Sequence, residues 1–103
     1  MVVPPPEFWP LARKICTDYN VLLLADEVMT GFCRTGQAFA VQHWGVVPDM
    51  MAVAKGITSA YFPFGALCFN EKVYRGLKDS VVQSYTYSGH PTGAAAAIKA
   101  IEI

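Results

Sequence analysis

The sequence is 103 residues long, has a formal net charge of zero and is 53% hydrophobic, while only 16% of its residues are charged. Ordinary soluble domains are about 25% charged, so this chain is too apolar for a free-standing domain of its size. We therefore expect an interior part of a larger protein, whose other parts cover its apolar surface.

The charge pattern argues against several classes of function. The sequence has no cluster of lysine and arginine, which disfavours a nucleic-acid surface or a polybasic membrane anchor. Its longest uncharged run, residues 80–98, contains Gln83, His90 and Pro91 and is not typical of a membrane helix.

The three cysteines, Cys16, Cys33 and Cys68, are widely spaced and match neither a metal-binding nor a redox motif. Their spacing predicts free thiols that are buried in the fold, in a reducing compartment. The first residues lack the basic and apolar regions of a secretory signal, so the cytoplasm is the expected location.

The first predicted elements are a helix and a strand. Residues 8–19 place apolar side chains at helical spacing, and Asn20 is a suitable helix end because asparagine tolerates the left-handed conformation. Residues 21–25 form a continuous apolar run that is typical of a strand buried on both faces of a parallel sheet. This strand stops at Asp26 and Glu27.

A loop and a second strand are predicted next. The loop covers residues 30–36 and contains two glycines, and a short amphipathic helix follows near residues 37–44. Met50–Ala54 is a second short apolar strand, which Lys55 and Gly56 interrupt.

The last part of the chain continues this alternation. Gly65–Phe69 is a third apolar segment, close enough to the second strand to pair with it, and Glu71–Leu77 is a short helix. Residues 84–91 form a polar and aromatic loop, and residues 92–103 form an alanine-rich helix. The order of helices and strands predicts an α/β fold.

Two residues beside the predicted strands are candidates for chemistry. Asp26 ends the first strand and Lys55 follows the second, and ligands of parallel sheets bind beyond the carboxyl ends of the strands. Partial burial of Lys55 in its uncharged stretch would make its amine a better nucleophile. Asp26 follows a buried strand and would need a cationic partner, such as a protonated pyridinium. Alternatively, the aspartate caps a turn and the lysine is solvated.

Three motifs resemble the class-III aminotransferases, which are pyridoxal-phosphate (PLP) enzymes of fold type I. They are DEVMTGFCRTG at residues 26–36, VPDMMAVAKGIT at residues 47–58 and SYTYSGHPTGAAAA at residues 84–97. Within this family the chain is similar to the omega-amino acid:pyruvate transaminases. The resemblance implies that the chain is part of an α/β large domain, in which helices flank a mostly parallel sheet.

The resemblance implies roles for four residues. Asp26 matches the aspartate that keeps the pyridine nitrogen of PLP protonated, and Val28 matches the branched residue on one face of the ring. Lys55 matches the lysine that forms the Schiff base with PLP. Thr86 matches the threonine that reaches the phosphate of the partner subunit's cofactor, which implies a homodimer with shared active sites.

The implied reaction moves an amino group from an amine or omega-amino acid to a keto acid such as pyruvate, with Lys55 transferring the proton and the pyridinium acting as electron sink. Two alternatives stay open. One is another fold-type-I activity, of the glutamate-1-semialdehyde aminomutase or dialkylglycine decarboxylase type, and the other is an inactive truncated fragment.

Some positions depart from the family pattern or have more than one interpretation. Met29 stands where many members have glutamine, which bears on the subfamily. Cys33 stands where glycine is commoner, and a positive φ there would strain a cysteine. Arg34 is either a clamp for a substrate carboxylate or part of an ion pair that fixes the loop. His90 is expected to be a cap or loop residue.

The sequence contains no glycine- and serine-rich loop at a helix start that could bind the cofactor phosphate, since GITSAYFPFG is not of this kind. We therefore expect residues 1–103 to be an internal segment of the PLP-binding large domain. In this interpretation the upstream phosphate-cup region and the small C-terminal domain are absent, and the isolated chain is inactive.

Overall fold

The computed structural model describes residues 2–77 and 85–103. Its helices and strands are, in chain order, α1 (Phe8–Asp18), β1 (Leu24–Asp26), β2 (Met50–Ala54), β3 (Gly65–Phe69), α2 (Glu71–Leu77) and α3 (Pro91–Ile101). Two 3₁₀ helices, Ala40–Trp44 and Lys55–Thr58, follow β1 and β2. In these described ranges, no helix has the length and apolarity needed to cross a membrane.

The three strands form one mixed sheet in the order β1-β2-β3. Strands β1 and β2 are parallel, with Leu24 opposite Met50 and Asp26 opposite Ala52. Strands β2 and β3 are antiparallel, because the connection between them is too short for the crossover that a parallel pair requires. The predicted α/β class and the pairing of the third strand with the second are confirmed.

Helix α1 ends as its sequence predicts. The backbone N–H of Tyr19 donates to the Ile15 carbonyl, and Asn20 then takes a left-handed φ of 51°. Asparagine tolerates this conformation better than most residues, so the chain can turn there towards β1.

The predicted burial of the first strand is wrong for this chain. Strand β1 begins at Leu24 rather than at residue 21, and of its three residues only Ala25 is buried. Leu22 and Leu24 are 45% and 47% exposed. Strand β1 lies at the edge of the described sheet, so the apolar residues of this run are not covered on both faces.

The three cysteines are also less buried than predicted. All three thiols are free, as expected, but Cys33 and Cys68 are exposed and Cys16 is only half-buried. The prediction that they are buried is therefore wrong. Strand β3, which carries Cys68, is exposed along its whole length, since it is the other edge of the described sheet.

The hydrophobic core lies where β2 meets the segment after it. Val53, Ile57 and Ala97 are buried there, and they bring together β2, the 3₁₀ helix Lys55–Thr58 and α3. The partly buried side chains packed against them are Phe32, Phe39, Met51 and Phe64.

The loop predicted over residues 84–91 contains a turn at residues 86–89, and α3 begins at Pro91. Ser84 lies outside the described residues.

Asp49, just before β2, joins three parts of the chain. Its Oδ2 accepts hydrogen bonds from the Leu23 backbone N–H at 2.9 Å and from Arg13 Nη1 of α1 at 2.8 Å. Its Oδ1 accepts from Asn70 Nδ2, after β3, at 3.1 Å. The Leu23 N–H, aided by Arg13 and Asn70, lowers the pKa of Asp49 from 3.8 to about 2 against the opposing effect of burial.

We expect Asp49→Asn to lower the free energy of unfolding by about 2 kcal/mol at neutral pH, because it leaves the Arg13 guanidinium without its charged partner. A group with a lowered pKa stabilises the fold above its ordinary pKa, and this contribution is lost as pH falls through the lowered value. The difference between the two proteins should therefore shrink as pH falls from 3.8 to about 2. Urea denaturation at several pH values measures it.

The matched control is Asp18→Asn, since Asp18 pairs with Lys14 on the exposed side of α1. Exposed pairs contribute little, so this variant should change stability by less than about 0.5 kcal/mol. An Asp49→Asn difference that persists undiminished below the lowered pKa would contradict the prediction.

Candidate active site

The structure places Asp26 and Lys55 at the same edge of the sheet. Asp26 is the last residue of β1, and Lys55 begins the 3₁₀ helix that directly follows β2. Because β1 and β2 are parallel and in register, their carboxyl ends meet at one edge. The predicted juxtaposition is therefore present, while the catalytic roles of the two residues stay a prediction.

The Asp26 carboxyl group closes a turn with one oxygen. Its Oδ1 accepts a hydrogen bond from the Val28 backbone N–H at 3.0 Å, which is the geometry of an Asx turn. Within residues 2–77 and 85–103 its Oδ2 has no hydrogen-bond partner, and the side chain is exposed rather than buried. The turn cap that we considered as an alternative therefore uses Oδ1 and leaves Oδ2 free for a ligand.

Lys55 is exposed, so the expected partial burial of its amine is wrong for this chain. Its backbone has a left-handed φ of 49°, and its carbonyl accepts a hydrogen bond from the Ala60 N–H at 3.1 Å. No acidic side chain in the described part of the molecule pairs with Lys55. Its primary amine is therefore accessible, on a backbone held in an uncommon conformation.

Lys55 lies between two cavities. The smaller, about 270 Å³, is lined by Val28, Met29, Gly31, Arg34, Lys55 and Gly56. The larger, about 770 Å³, is mostly apolar and also borders Arg34, Lys55 and Gly56. The smaller cavity thus combines the apolar side chains that follow Asp26 with the amine of Lys55, an arrangement that suits a flat aromatic ligand bearing an electrophilic group.

The loop after β1 touches the turn after β2. A Cβ atom at Gly56 would lie 2.8 Å from Cβ of Phe32, so no larger residue fits there without moving the loop. Phe32 and Cys33 have φ values of 56° and 67°. The condition for strain at Cys33, a positive φ, is therefore met.

Thr86 and His90 lie on the loop before α3. Thr86 is exposed and lines neither of the two cavities beside Lys55. His90 is the N-cap of α3, where its Nδ1 accepts a hydrogen bond from the Gly93 N–H at 3.4 Å, and Pro91 follows in the first turn. The interpretation of His90 as a cap is confirmed.

Arg34 borders both cavities and is exposed. Over the ranges that the structure describes it forms no ion pair, so the ion pair expected to fix its loop is not observed there. Its role as a carboxylate clamp stays a prediction.

The sequence pattern did not single out Glu27, which is only 1% exposed. Its Oε1 accepts a hydrogen bond from the Val41 N–H at 2.9 Å, and its Oε2 accepts one from the Thr30 hydroxyl. One signal could have found it: successive residues of a strand point to opposite faces, so an exposed Asp26 places Glu27 inward.

The family model described as aminotransferase class-III matches residues 1–103, the whole chain. Together with the geometry of the sheet edge, this match establishes the class: the chain belongs to the class-III aminotransferase family.

Two relatives and one solved structure show how close the similarity is. An uncharacterised aminotransferase of Sinorhizobium fredii is 50% identical over 99% of this chain and 23% of its own length. The putrescine–pyruvate aminotransferase of Pseudomonas aeruginosa is 42% identical over 100% of this chain and 23% of its own length. An amine transaminase from an uncultivated Pseudomonas species, solved in its PLP-bound form, is 42% identical with a TM-score of 0.92, over 99% of this chain and 24% of that one. The chain thus spans about a quarter of the length of these proteins.

We expect Cys33→Gly to stabilise the chain by about 0.5 to 1 kcal/mol, because glycine adopts a positive φ without the clash of a Cβ atom. Urea denaturation measures the change. Cys33→Ala is the matched control, since it removes the thiol but keeps the Cβ atom, and it should give no such gain. Equal stabilisation by the two variants would show that the thiol, and not the backbone, was unfavourable.

Proposed function

We propose that this chain contributes the base of the cofactor site in a PLP-dependent aminotransferase, which transfers an amino group from an amine or omega-amino acid to a keto acid such as pyruvate. The observation that supports this most directly is the placement of Asp26 and Lys55 at the carboxyl ends of the parallel strands β1 and β2. Lys55 also lines a cavity with an apolar wall, to which Val28 and Met29 contribute. The relatives described above bear the names of aminotransferases, and nothing in them favours an aminomutase or a decarboxylase.

The residues present fit the chemistry of PLP. A protonated ring nitrogen needs an acceptor, and Asp26 has a free carboxyl oxygen at the sheet edge. An aldehyde needs a primary amine, and Lys55 is accessible. A flat ring needs an apolar surface, which Val28 and Met29 provide in the smaller cavity.

When bound, PLP would supply the electron sink for breaking a bond at the substrate carbon. Asp26 would hold the proton on the ring nitrogen through Oδ2, and the Val28 N–H would keep the carboxyl group in orientation through Oδ1. Val28 would exclude water from one face of the ring. Nζ of Lys55 would accept the proton that leaves the substrate carbon and would then deliver it to the cofactor carbon.

Thr86 supports a second part of the proposal, a homodimer with shared active sites. Its side chain is exposed and lies outside both cavities beside Lys55. An exposed hydroxyl on the loop before α3 is available to the phosphate of the partner subunit's cofactor.

The reactivity of Lys55 is tested by incubating the chain with PLP, reducing with borohydride and mapping the adducts by mass spectrometry. We expect the adduct to form mainly at Lys55, which adjoins an apolar cavity that suits a flat ring. Among the other described lysines, Lys14 and Lys99 form ion pairs with Asp18 and Glu102, and Lys72 donates a hydrogen bond to Asn20. Lys55→Arg should remove this adduct and leave the minor ones. Equal labelling of all five lysines would contradict the proposed role of Lys55.

The proposed reaction is tested in a chimera, in which residues 1–103 replace the matching segment of the putrescine–pyruvate aminotransferase of P. aeruginosa. With putrescine and pyruvate, Asp26→Ala should lower kcat at least about a hundredfold, because it removes a preorganised charge from the reacting centre. Asp18→Ala, which removes a surface acid, should leave kcat within about twofold of the parent chimera. Near-normal turnover of the Asp26→Ala chimera would refute the assignment.

A further inference from the structure

We propose that Glu27 is a positioning residue: its buried carboxyl group holds the loop after β1 against the turn that begins at Lys55. The contacts of Glu27 do not depend on the proposed function, and only their consequence for cofactor binding rests on it.

Glu27 is bound on both carboxyl oxygens by the loop that follows it. The Val41 N–H lies in the first turn of the 3₁₀ helix Ala40–Trp44, where a backbone donor has no partner within the helix, and it donates to Oε1. The Thr30 hydroxyl, near the start of the same loop, donates to Oε2. One buried side chain therefore ties the beginning of the loop to its end.

The backbone of Glu27 fixes this side chain to the sheet. Its N–H donates to the Ala52 carbonyl of β2 at 2.9 Å, and its own carbonyl accepts from the Gly31 N–H at 2.9 Å. A Cβ atom at Gly31 would lie 2.8 Å from the Glu27 carbonyl oxygen, so the turn is closed as tightly as a glycine permits. This turn carries Val28, which lines the smaller cavity.

Phe32 connects the loop to the segment that contains the lysine, because it packs against Gly56. It follows Gly31 directly, it packs against Phe39 with ring centroids 5.6 Å apart, and its Cβ atom leaves no room for a side chain at Gly56. Gly56 is the neighbour of Lys55. A displacement of the loop therefore changes the packing of the residue next to the lysine.

A general contribution to stability and a positioning role predict different effects of mutation. If Glu27 only stabilises the fold, its loss raises hydrogen exchange in every segment alike. If it positions the loop, exchange rises selectively over residues 28–41 and 55–61, where the turn amides of Ser59, Ala60 and Tyr61 are hydrogen-bonded.

The experiment compares hydrogen exchange in Glu27→Ala, Glu27→Gln and Val73→Ala variants of the chain. Glu27→Ala should raise exchange about tenfold in the two segments, because a buried hydrogen bond to a carboxyl group is lost. Glu27→Gln should restore protection, since glutamine offers an oxygen to the Val41 N–H and an amide that donates to the Thr30 hydroxyl. Val73→Ala, in the buried part of α2, is the control for general destabilisation.

Thr30→Val is a milder variant that removes one of the two bonds, and it serves if Glu27→Ala does not fold. It should raise exchange in the same two segments by a smaller factor. The proposal is overturned if Glu27→Ala, or Thr30→Val in its place, loosens all segments as Val73→Ala does, or if Glu27→Gln does not restore protection.

Labelling with PLP and borohydride gives the second measurement. Relative to Lys99, labelling of Lys55 should fall about fivefold in Glu27→Ala and stay near the parent value in Glu27→Gln. If the parent chain labels all lysines alike, the proposed function fails, and hydrogen exchange still decides the role of Glu27. If Lys55 is labelled selectively and Glu27→Ala leaves this unchanged, the positioning role is overturned and the proposed function stands.

Discussion

The hydrogen bonds of Asp49 are the interaction on which the geometry of the sheet edge depends. They join α1, the residue before β1 and the segment after β3 at the amino end of β2. Each residue of a strand advances about 3.3 Å, and a slip by one residue would turn every side chain to the other face. By fixing the register at one end of β1 and β2, Asp49 also fixes which residues meet at the other end, where Asp26 and Lys55 lie.

Glu27 has the corresponding role at the carboxyl end. Asp26 and Glu27 are adjacent, and the alternation of the extended chain sends one side chain to solvent and the other inward. The exposed carboxyl group is available to a ligand, whereas the buried one has both oxygens occupied by the loop. Of the two neighbouring acids, Asp26 therefore has an accessible side chain, whereas Glu27 supports the loop.

Much of the secondary structure could be predicted because it depends on local pattern. Met50–Ala54, Gly65–Phe69 and Glu71–Leu77 have the predicted bounds, since turn residues flank each short apolar or amphipathic segment. Burial could not be predicted in the same way, because it depends on neighbouring layers, and the exposure of Leu24 and Cys68 follows from their place on edge strands. Asp49 and Glu27 accept hydrogen bonds from Leu23 and Val41, which lie 26 and 14 residues away in the sequence, and no local pattern indicates these contacts.

The backbone gives a reason to place the site at this edge that does not depend on the motifs. The residues other than glycine with positive φ in the described ranges are Asn20, Phe32, Cys33, Lys55, Ser59 and Ala60. All except Asn20, which ends α1, belong to the loop after β1 or the turn after β2. A left-handed conformation costs about 1 to 2 kcal/mol per residue and persists only where surrounding contacts impose it. Here the contact between Phe32 and Gly56 and the turn hydrogen bonds of residues 55–61 provide those contacts. Strain of this kind is concentrated at functional sites, and all five of these residues line the larger cavity beside Lys55. Their backbone conformations therefore support the assignment of the lysine independently of its resemblance to a family position.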